Sequence, residues 1–162
     1  MMSVYDKAVC RVMIYSYKEL EDRCEAVDKA IYNTAIHSAF KNTIETYKDI
    51  ERLTREKIAY INVKVIIDQA IATLKRKYEL EQHHIKGITI EQIAITLNIK
   101  SHTIQRRVEL QREKLYEAIL NTHSGEKLLD VICDSQWLMN RYRKAINSVK
   151  KSDNIKAKEI NE

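Results

Sequence analysis

The sequence predicts an all-α protein, built as a long N-terminal helical hairpin, a helix-turn-helix domain and a C-terminal amphipathic helix. Three observations lead there. The 162 residues contain no proline and only two glycines, Gly87 and Gly125, so little interrupts helices and little supplies the tight turns of a sheet. Charged residues make up 31% and aromatics 7%, with nine Tyr against one Trp and one Phe, a profile that suits long, solvated, amphipathic helices. Apolar residues recur in steps of three and four along most of the chain.

The first 75 residues read as the hairpin, a coiled-coil-like arm for oligomerisation or partner binding. Cys10, Met13, Tyr17, Leu20, Cys24, Val27, Ile31 and Thr34 form a heptad-like seam between charged flanks. Thr34 to Asn42 reads as the connection, with Asn42 and Glu45 placed as a capping box. The second helix carries Ile44, Tyr47, Ile50, Leu53, Ile58, Ile61 and Val65 at helical spacing, and is expected to bury that face against the first. Unbroken helix from Asn42 to His84 would be roughly 60 Å long, so a break is expected near residues 62–76.

Residues 76–120 read as the helix-turn-helix domain. Gly87 can end a helix in a left-handed conformation, and Thr89 with Gln92 forms a T-x-x-Q box that starts the next. Ile90, Ile93, Ala94 and Leu97 give that short helix a buried face. Asn98 suits a left-handed turn residue, and Ile99 can plug the corner. A third helix then begins near Lys100 or Ser101, with Ile104, Val108 and Leu115 facing inward.

Residues 121–150 supply a loop from Asn121 to Gly125 and one amphipathic helix through Leu128, Val131, Ile132, Leu138, Met139, Tyr142, Ala145, Ile146 and Val149. Residues 151–162 read as a frayed polar tail.

Net charge is +5 and unevenly placed. Lys100, Arg106, Arg107, Arg112 and Lys114 face only Glu109 and Glu113 within residues 100–114, and residues 141–158 are also strongly basic, which suits a polyanionic partner. With Ile104 and Val108 inward, Ser101, His102, Gln105, Arg106 and Glu109 turn outward near the helix start. In a major groove, Ser101, His102, Gln105 and Arg106 are the base-reading candidates, since Gln pairs bidentately with adenine and Arg with guanine. Lys86, Lys100, Thr103, Arg107, Arg112 and Lys114 are the phosphate candidates.

Leu80 to Leu115, about 36 of the 162 residues, resembles region 4 of bacterial sigma factors. The family pattern G-l-s-x-e-E-I-A-x-x-L-g-i-S-x-x-T-V-x-x-R-l is met at Gly87, Thr89 (for Ser), Ile93, Ala94, Leu97, Asn98 (for Gly), Ile99, Thr103, Ile104 (for Val), Arg107 and Val108. His83-His84-Ile85-Lys86-Gly87 is similar to the family's R-Y-l-x-G approach. Lys100 departs from the family's capping Ser, and Gln111 from its usual Ala. The N-terminal half has no counterpart of the part that melts promoters, and the whole is similar to small phage or prophage transcription regulators. The resemblance implies a sequence-specific double-stranded DNA-binding regulator, with RNA polymerase as a further partner. The alternatives are a DNA-recognition subunit of a phage packaging terminase and a helical adaptor that binds RNA polymerase or a host protein.

Other signals carry less. His83 and His84 are adjacent, hence about 100° apart on a helix, with no ligand at metal spacing. Cys10, Cys24 and Cys133 form no C-x-x-C pair, and as scattered thiols fit a reducing cytosol. Trp137 is expected to be buried, and Arg141, Arg143, Lys144, Lys150 and Lys151 read as a solvated basic face. No Gly-rich phosphate loop, Ser nucleophile elbow or carboxylate cluster suggests an enzyme, and no cofactor is implied. No apolar run approaches the roughly 18 residues of a membrane span, and the N-terminus lacks signal-peptide character. The expectation is a cytoplasmic protein of a bacterial cell, acting as a homodimer.

Overall fold

Ser3 and Asp6 start the first helix by capping each other: the Asp6 N–H donates to Ser3 Oγ at 3.1 Å and the Ser3 N–H to Asp6 Oδ2 at 3.3 Å. A computed structural model describes residues 2–40 and 42–159, with side chains over the same stretches except Phe40 and residues 150–159. In chain order come α1 (Val4–Ser16), a 3-10 turn (Tyr17–Glu19), α2 (Leu20–Ile36), a second 3-10 turn (His37–Phe40) and α3 (Thr43–Thr73). Then follow α4 (Tyr78–Leu80), running into a π-helical turn (Glu81–Ile85), α5 (Ile90–Leu97), α6 (Ser101–Thr122), α7 (Gly125–Ile132) and α8 (Gln136–Glu159). The protein is all-α, with no strand among the described residues.

α1 is the hub. Ala8, Val9, Cys10, Val12, Met13 and Ile14 are each at most 3% exposed, so the helix is apolar nearly all round, as a central helix must be. It packs chiefly on α8, and also on α7, α6 and α3, while α2 packs on α3. The single seam expected from Cys10 to Thr34 is therefore divided. The 3-10 turn at Tyr17–Glu19 winds three residues per turn instead of 3.6 and rotates the stripe between two sets of partners. The hairpin proper is α2 with α3.

That hairpin is antiparallel and laced at fixed register. Lys57 Nζ donates to Asp28 (2.6 Å), Lys64 pairs with Glu21, and Tyr17 Oη donates to Asp68. The residue numbers of each pair add to 85, which only an unslipped antiparallel pair allows. Asn42 caps α3 by accepting the Ile44 N–H at 3.0 Å.

The buried face of α3 differs from the expected one. Leu53 is buried, but Ile44, Tyr47, Ile58, Ile61 and Val65 stand 45–68% exposed. The core takes Ala59, Tyr60, Val63, Ile66, Ile67, Ala70 and Ile71. α3 carries two apolar stripes, and the denser one, joined by Tyr60, wins the core. Each fully buried large side chain there stabilises the fold by about 1.5–3 kcal/mol. The expected break falls at the end of its window: Leu74 is extended (φ −78°, ψ 128°), and the chain turns to α4.

α6 belongs to two cores at once. Its first half supplies Ile104 and Val108 to a small cluster with Ile93 and Ala94, and its second half supplies Leu115, Tyr116 and Ile119 to the large one. The boundary expected at residue 120 thus does not separate packing units. One continuous helix ties the small cluster around α5 to the body.

The loop expected from Asn121 to Gly125 shrinks to His123 and Ser124, and Ser124 caps α7 by accepting the Lys127 N–H. A Cβ at Gly125 would lie 1.9 Å from Asp6 Oδ1, so a larger residue there must displace the Asp6 carboxylate. The expected single last helix is two, α7 and α8. The fully buried Ser135 separates them: its Oγ accepts the Leu138 N–H and donates to Tyr60 Oη, both at 3.2 Å. α8 runs antiparallel along α1, tied by Arg11 to Ser148 and by Arg141 to Ser16. Its backbone stays helical to Glu159, past the expected end at 150, and residues 160–162 of the expected tail lie outside the described residues. No helix among the described residues is long and apolar enough to cross a membrane.

Candidate nucleic-acid interface

α5 and α6 are joined by a short turn that forms from local signals. The Gln92 N–H donates to Thr89 Oγ1 and the Thr89 N–H to Gln92 Oε1, both at 3.2 Å, completing the box that starts α5. Gly87 sits at φ +71° and Asn98 at φ +52°, both left-handed. The Ile99 N–H donates to Ala94 O at 3.0 Å and closes the turn, while Ile99, Ile88, Ile90 and Leu97 pack round the small core.

α6 starts on Ser101, with Lys100 extended at the N-cap and making no side-chain cap. The first-turn N–H groups therefore have no capping side chain, because the Lys100 ammonium carries no hydrogen-bond acceptor. Ser101, His102, Gln105 and Arg106 are exposed, and Thr103 is half-buried. At 100° per residue, His102 and Arg106 lie nearly opposite the buried Ile104 and Val108. Glu109 and Glu113 continue that outward face, so only the first turn and a half is free of acid. Gln105 Nε2 donates to Glu109 Oε1 at 3.3 Å, and must leave it to meet another acceptor.

The phosphate candidates separate into different settings. Lys100 and Lys114 are exposed. Arg107 Nη1 donates to Glu79 Oε1 at 3.1 Å, with its side chain 46% exposed. Arg112 is fastened to α1: its Nη1 donates to Tyr15 Oη at 2.7 Å, and its buried Nε has no partner. Lys86 is exposed but borders a separate depression with Asp68 and Ile71. The structure thus brings Arg107 and Lys114 together and leaves Arg112 and Lys86 apart from them.

Arg107 and Lys114 line a groove of about 1020 Å³ that faces the chain between α3 and α4. The opposite wall carries Lys75, Arg76, Lys77 and Tyr78, the last 47% exposed, while Leu110, 52% exposed, lies between Arg107 and Lys114 on α6. These cations were missed in the sequence, although three consecutive basic residues at a helix break are a visible signal. Glu79 lies at the base of the groove. Burial favours its neutral form, but hydrogen bonds from Gln111, the backbone and Arg107 outweigh this and hold the carboxyl below its ordinary value.

The two histidines serve the approach to α5. His83 Nδ1 lies 2.9 Å from Ile88 O. His84 is 7% exposed, edge-on to Tyr15 with ring centroids 4.9 Å apart, and its Nε2 has no partner. Burial, and then the nearby His83, Arg112 and Lys18, push its pKa down to about 4. No group of three or more His, Cys, Asp or Glu among the described residues could hold a metal ion. Burial pushes the Cys10 thiol up to about 12, which suits packing and not reactivity. Trp137 is half-buried between the guanidinium groups of Arg23 and Arg141, each 4.3 Å from its ring centroid.

No protein-family model, curated protein or solved structure matches this chain.

Proposed function

We propose that the chain is a sequence-specific double-stranded DNA-binding transcription regulator that lays the first turns of α6 in a major groove. The observation that carries this reading is the joint geometry of α5 and α6. A capped short helix, a left-handed Asn98 and a rigidly held second helix leave Ser101, His102, Gln105 and Arg106 exposed beside an uncapped helix start. Such a start favours anions, because its N–H groups and dipole are both unsatisfied. In this reading Arg106 and Gln105 meet base edges, and Lys100, Thr103, Arg107 and Lys114 hold phosphates, joined by Lys75 and Arg76 across the groove. Glu109 and Glu113 confine the contact to the helix start by repelling the backbone further along.

Fluorescence anisotropy against mixed duplex DNA at low and moderate salt tests it. Binding should weaken steeply with salt. Arg106→Ala should weaken it and relax preference at one base pair, while Lys114→Ala should weaken all duplexes evenly and lower the salt slope by about one. Absence of binding at low salt by the folded protein would sink the reading.

A further inference from the structure

We propose that the groove between the α3–α4 turn and α6 is a binding site for a nucleoside polyphosphate. Its lining carries five cations and two carboxylates, a balance of three positive charges around a volume of about 1020 Å³. Lys77 is paired with Glu81 at 3.5 Å and Arg107 with Glu79 at 3.1 Å. Lys75, Arg76 and Lys114 are exposed and make no ion pair or hydrogen bond among the described residues. Basic residues that follow a helix commonly bond its last carbonyls. Here Leu74 turns extended instead, and carries Lys75, Arg76 and Lys77 to the groove. Cations that converge from both walls of one concavity focus a positive field on it, which a solvated helix face does not do.

The apolar side chains of the groove select the class of anion. Tyr78, 47% exposed, stands on one wall, and Leu110, 52% exposed, stands on the other, one helical turn from both Arg107 and Lys114. An inorganic anion or a duplex phosphate uses the cations and leaves both apolar groups idle. A planar base offers each of them a face, and stacking one base on an aromatic ring is worth about tenfold or more in affinity. The phosphates of the same molecule then meet Lys75 and Arg76 on one side and Lys114 on the other. The volume lies at the upper end of the roughly 300–1,000 Å³ of small-molecule sites, which is room for a whole nucleotide. The binding stands independently of DNA, and only its consequence rests on the DNA contact proposed above. Arg107, Lys114, Lys75 and Arg76 hold phosphates in that contact, so a bound polyphosphate occupies them and repels the duplex. The groove is then an inhibitory effector site.

Isothermal titration calorimetry of the full chain, without DNA, is the test, with adenosine triphosphate and inorganic tripolyphosphate as probes at equal ionic strength. Adenosine triphosphate should bind at least tenfold more tightly than tripolyphosphate. Tyr78→Ala should abolish that difference, whereas Lys75→Ala/Arg76→Ala should weaken both probes at least tenfold. Equal affinities for the two probes, no binding of either, or a preference that survives Tyr78→Ala would each overturn the proposal. A thymidylate oligomer that binds more tightly than the mononucleotide would also overturn it, by giving the groove to a single strand. Should a variant unfold, the two probes on the wild type still decide. In anisotropy, saturating adenosine triphosphate should weaken duplex binding at least tenfold, and unchanged duplex binding would overturn the competition. A folded protein that binds the nucleotide and no duplex would remove the DNA reading and leave the nucleotide site in place.

Discussion

Gln111 and Glu79 hold each other inside the protein: Gln111 Nε2 donates to Glu79 Oε2 at 2.7 Å, and Gln111 Oε1 accepts the Leu80 N–H at 2.9 Å. Both residues are at most 9% exposed. The pair locks α4 to α6 and positions Arg107, which shares the same carboxylate.

Replacing Gln111 by Ala leaves a buried carboxylate and a buried N–H each short of a partner, and should destabilise by about 2–3 kcal/mol. Urea titration of the variant measures it. The acid limb gives a second readout. Glu79 is held below its ordinary pKa of 4.5 in the folded state, so its contribution is complete above that value and is lost as pH falls through the lower, folded one. Glu79→Gln should flatten the decline of stability below pH 4.5. A decline identical to wild type would show that the network contributes no linkage.

His84 acts over a different window. Its folded pKa of about 4 lies below the ordinary 6.5, so the unfolded chain binds the extra proton first. Stability is full above about pH 6.5 and falls progressively towards pH 4, by up to about 3 kcal/mol for a 7% exposed ring. His84→Phe keeps the edge contact with Tyr15 and removes the proton. The variant should match wild type at pH 7 and exceed it at pH 5. Parallel pH profiles would place the acid loss elsewhere.

The two left-handed residues flanking α5 predict opposite responses. Gly87 has open space around its missing Cβ, so Gly87→Ala costs only the backbone strain at φ +71°, about 1–2 kcal/mol. Asn98→Gly relieves strain at φ +52° but frees the unfolded chain, so the two effects nearly cancel. Asn98→Val, β-branched in the same conformation, should be clearly destabilising. Thermal melts of the three variants should rank them Asn98→Gly above Gly87→Ala above Asn98→Val.

These positions also show which parts of the structure the sequence reveals. Thr89, Gln92, Gly87 and Asn98 act on their own backbone within four residues, so their roles can be read locally, and the turn forms as they imply. The inward set Ile104, Val108 and Leu115 follows from one unambiguous stripe. α3 has two stripes, and only the tertiary partners of Tyr60 choose between them. Likewise nothing near Arg112 in sequence announces Tyr15, 97 positions away, which removes it from the exposed cations. Ser135 could be read as a cap, but its burial depends on Tyr60, 75 positions earlier. Local chemistry is legible; the choice among competing faces belongs to packing.

Arg141 is the side chain that most directly fixes α8 to the start of the hairpin. It donates to Glu19 Oε1 at 2.7 Å, to Ser16 Oγ at 3.2 Å and to Tyr15 O at 3.3 Å, while its guanidinium lies 4.3 Å from the Trp137 ring. Arg23 covers the same ring at the same distance. The two cations are not equivalent. Arg141→Ala removes hydrogen bonds to a carboxylate, a fully buried hydroxyl and a carbonyl, and should destabilise by about 2 kcal/mol. Arg23→Ala removes chiefly a partly exposed cation–π contact, worth about 0.5–1 kcal/mol. Arg141→Lys keeps the charge without the planar fork and should recover little. Because Trp137 is the only tryptophan, its fluorescence reports the result directly. The Arg141→Ala spectrum should shift to the red in the folded protein, as α8 loosens and water reaches the indole, whereas the Arg23→Ala spectrum should shift less. Equal shifts would mean that the ring, and not the hydrogen bonds of Arg141, holds α8 in place.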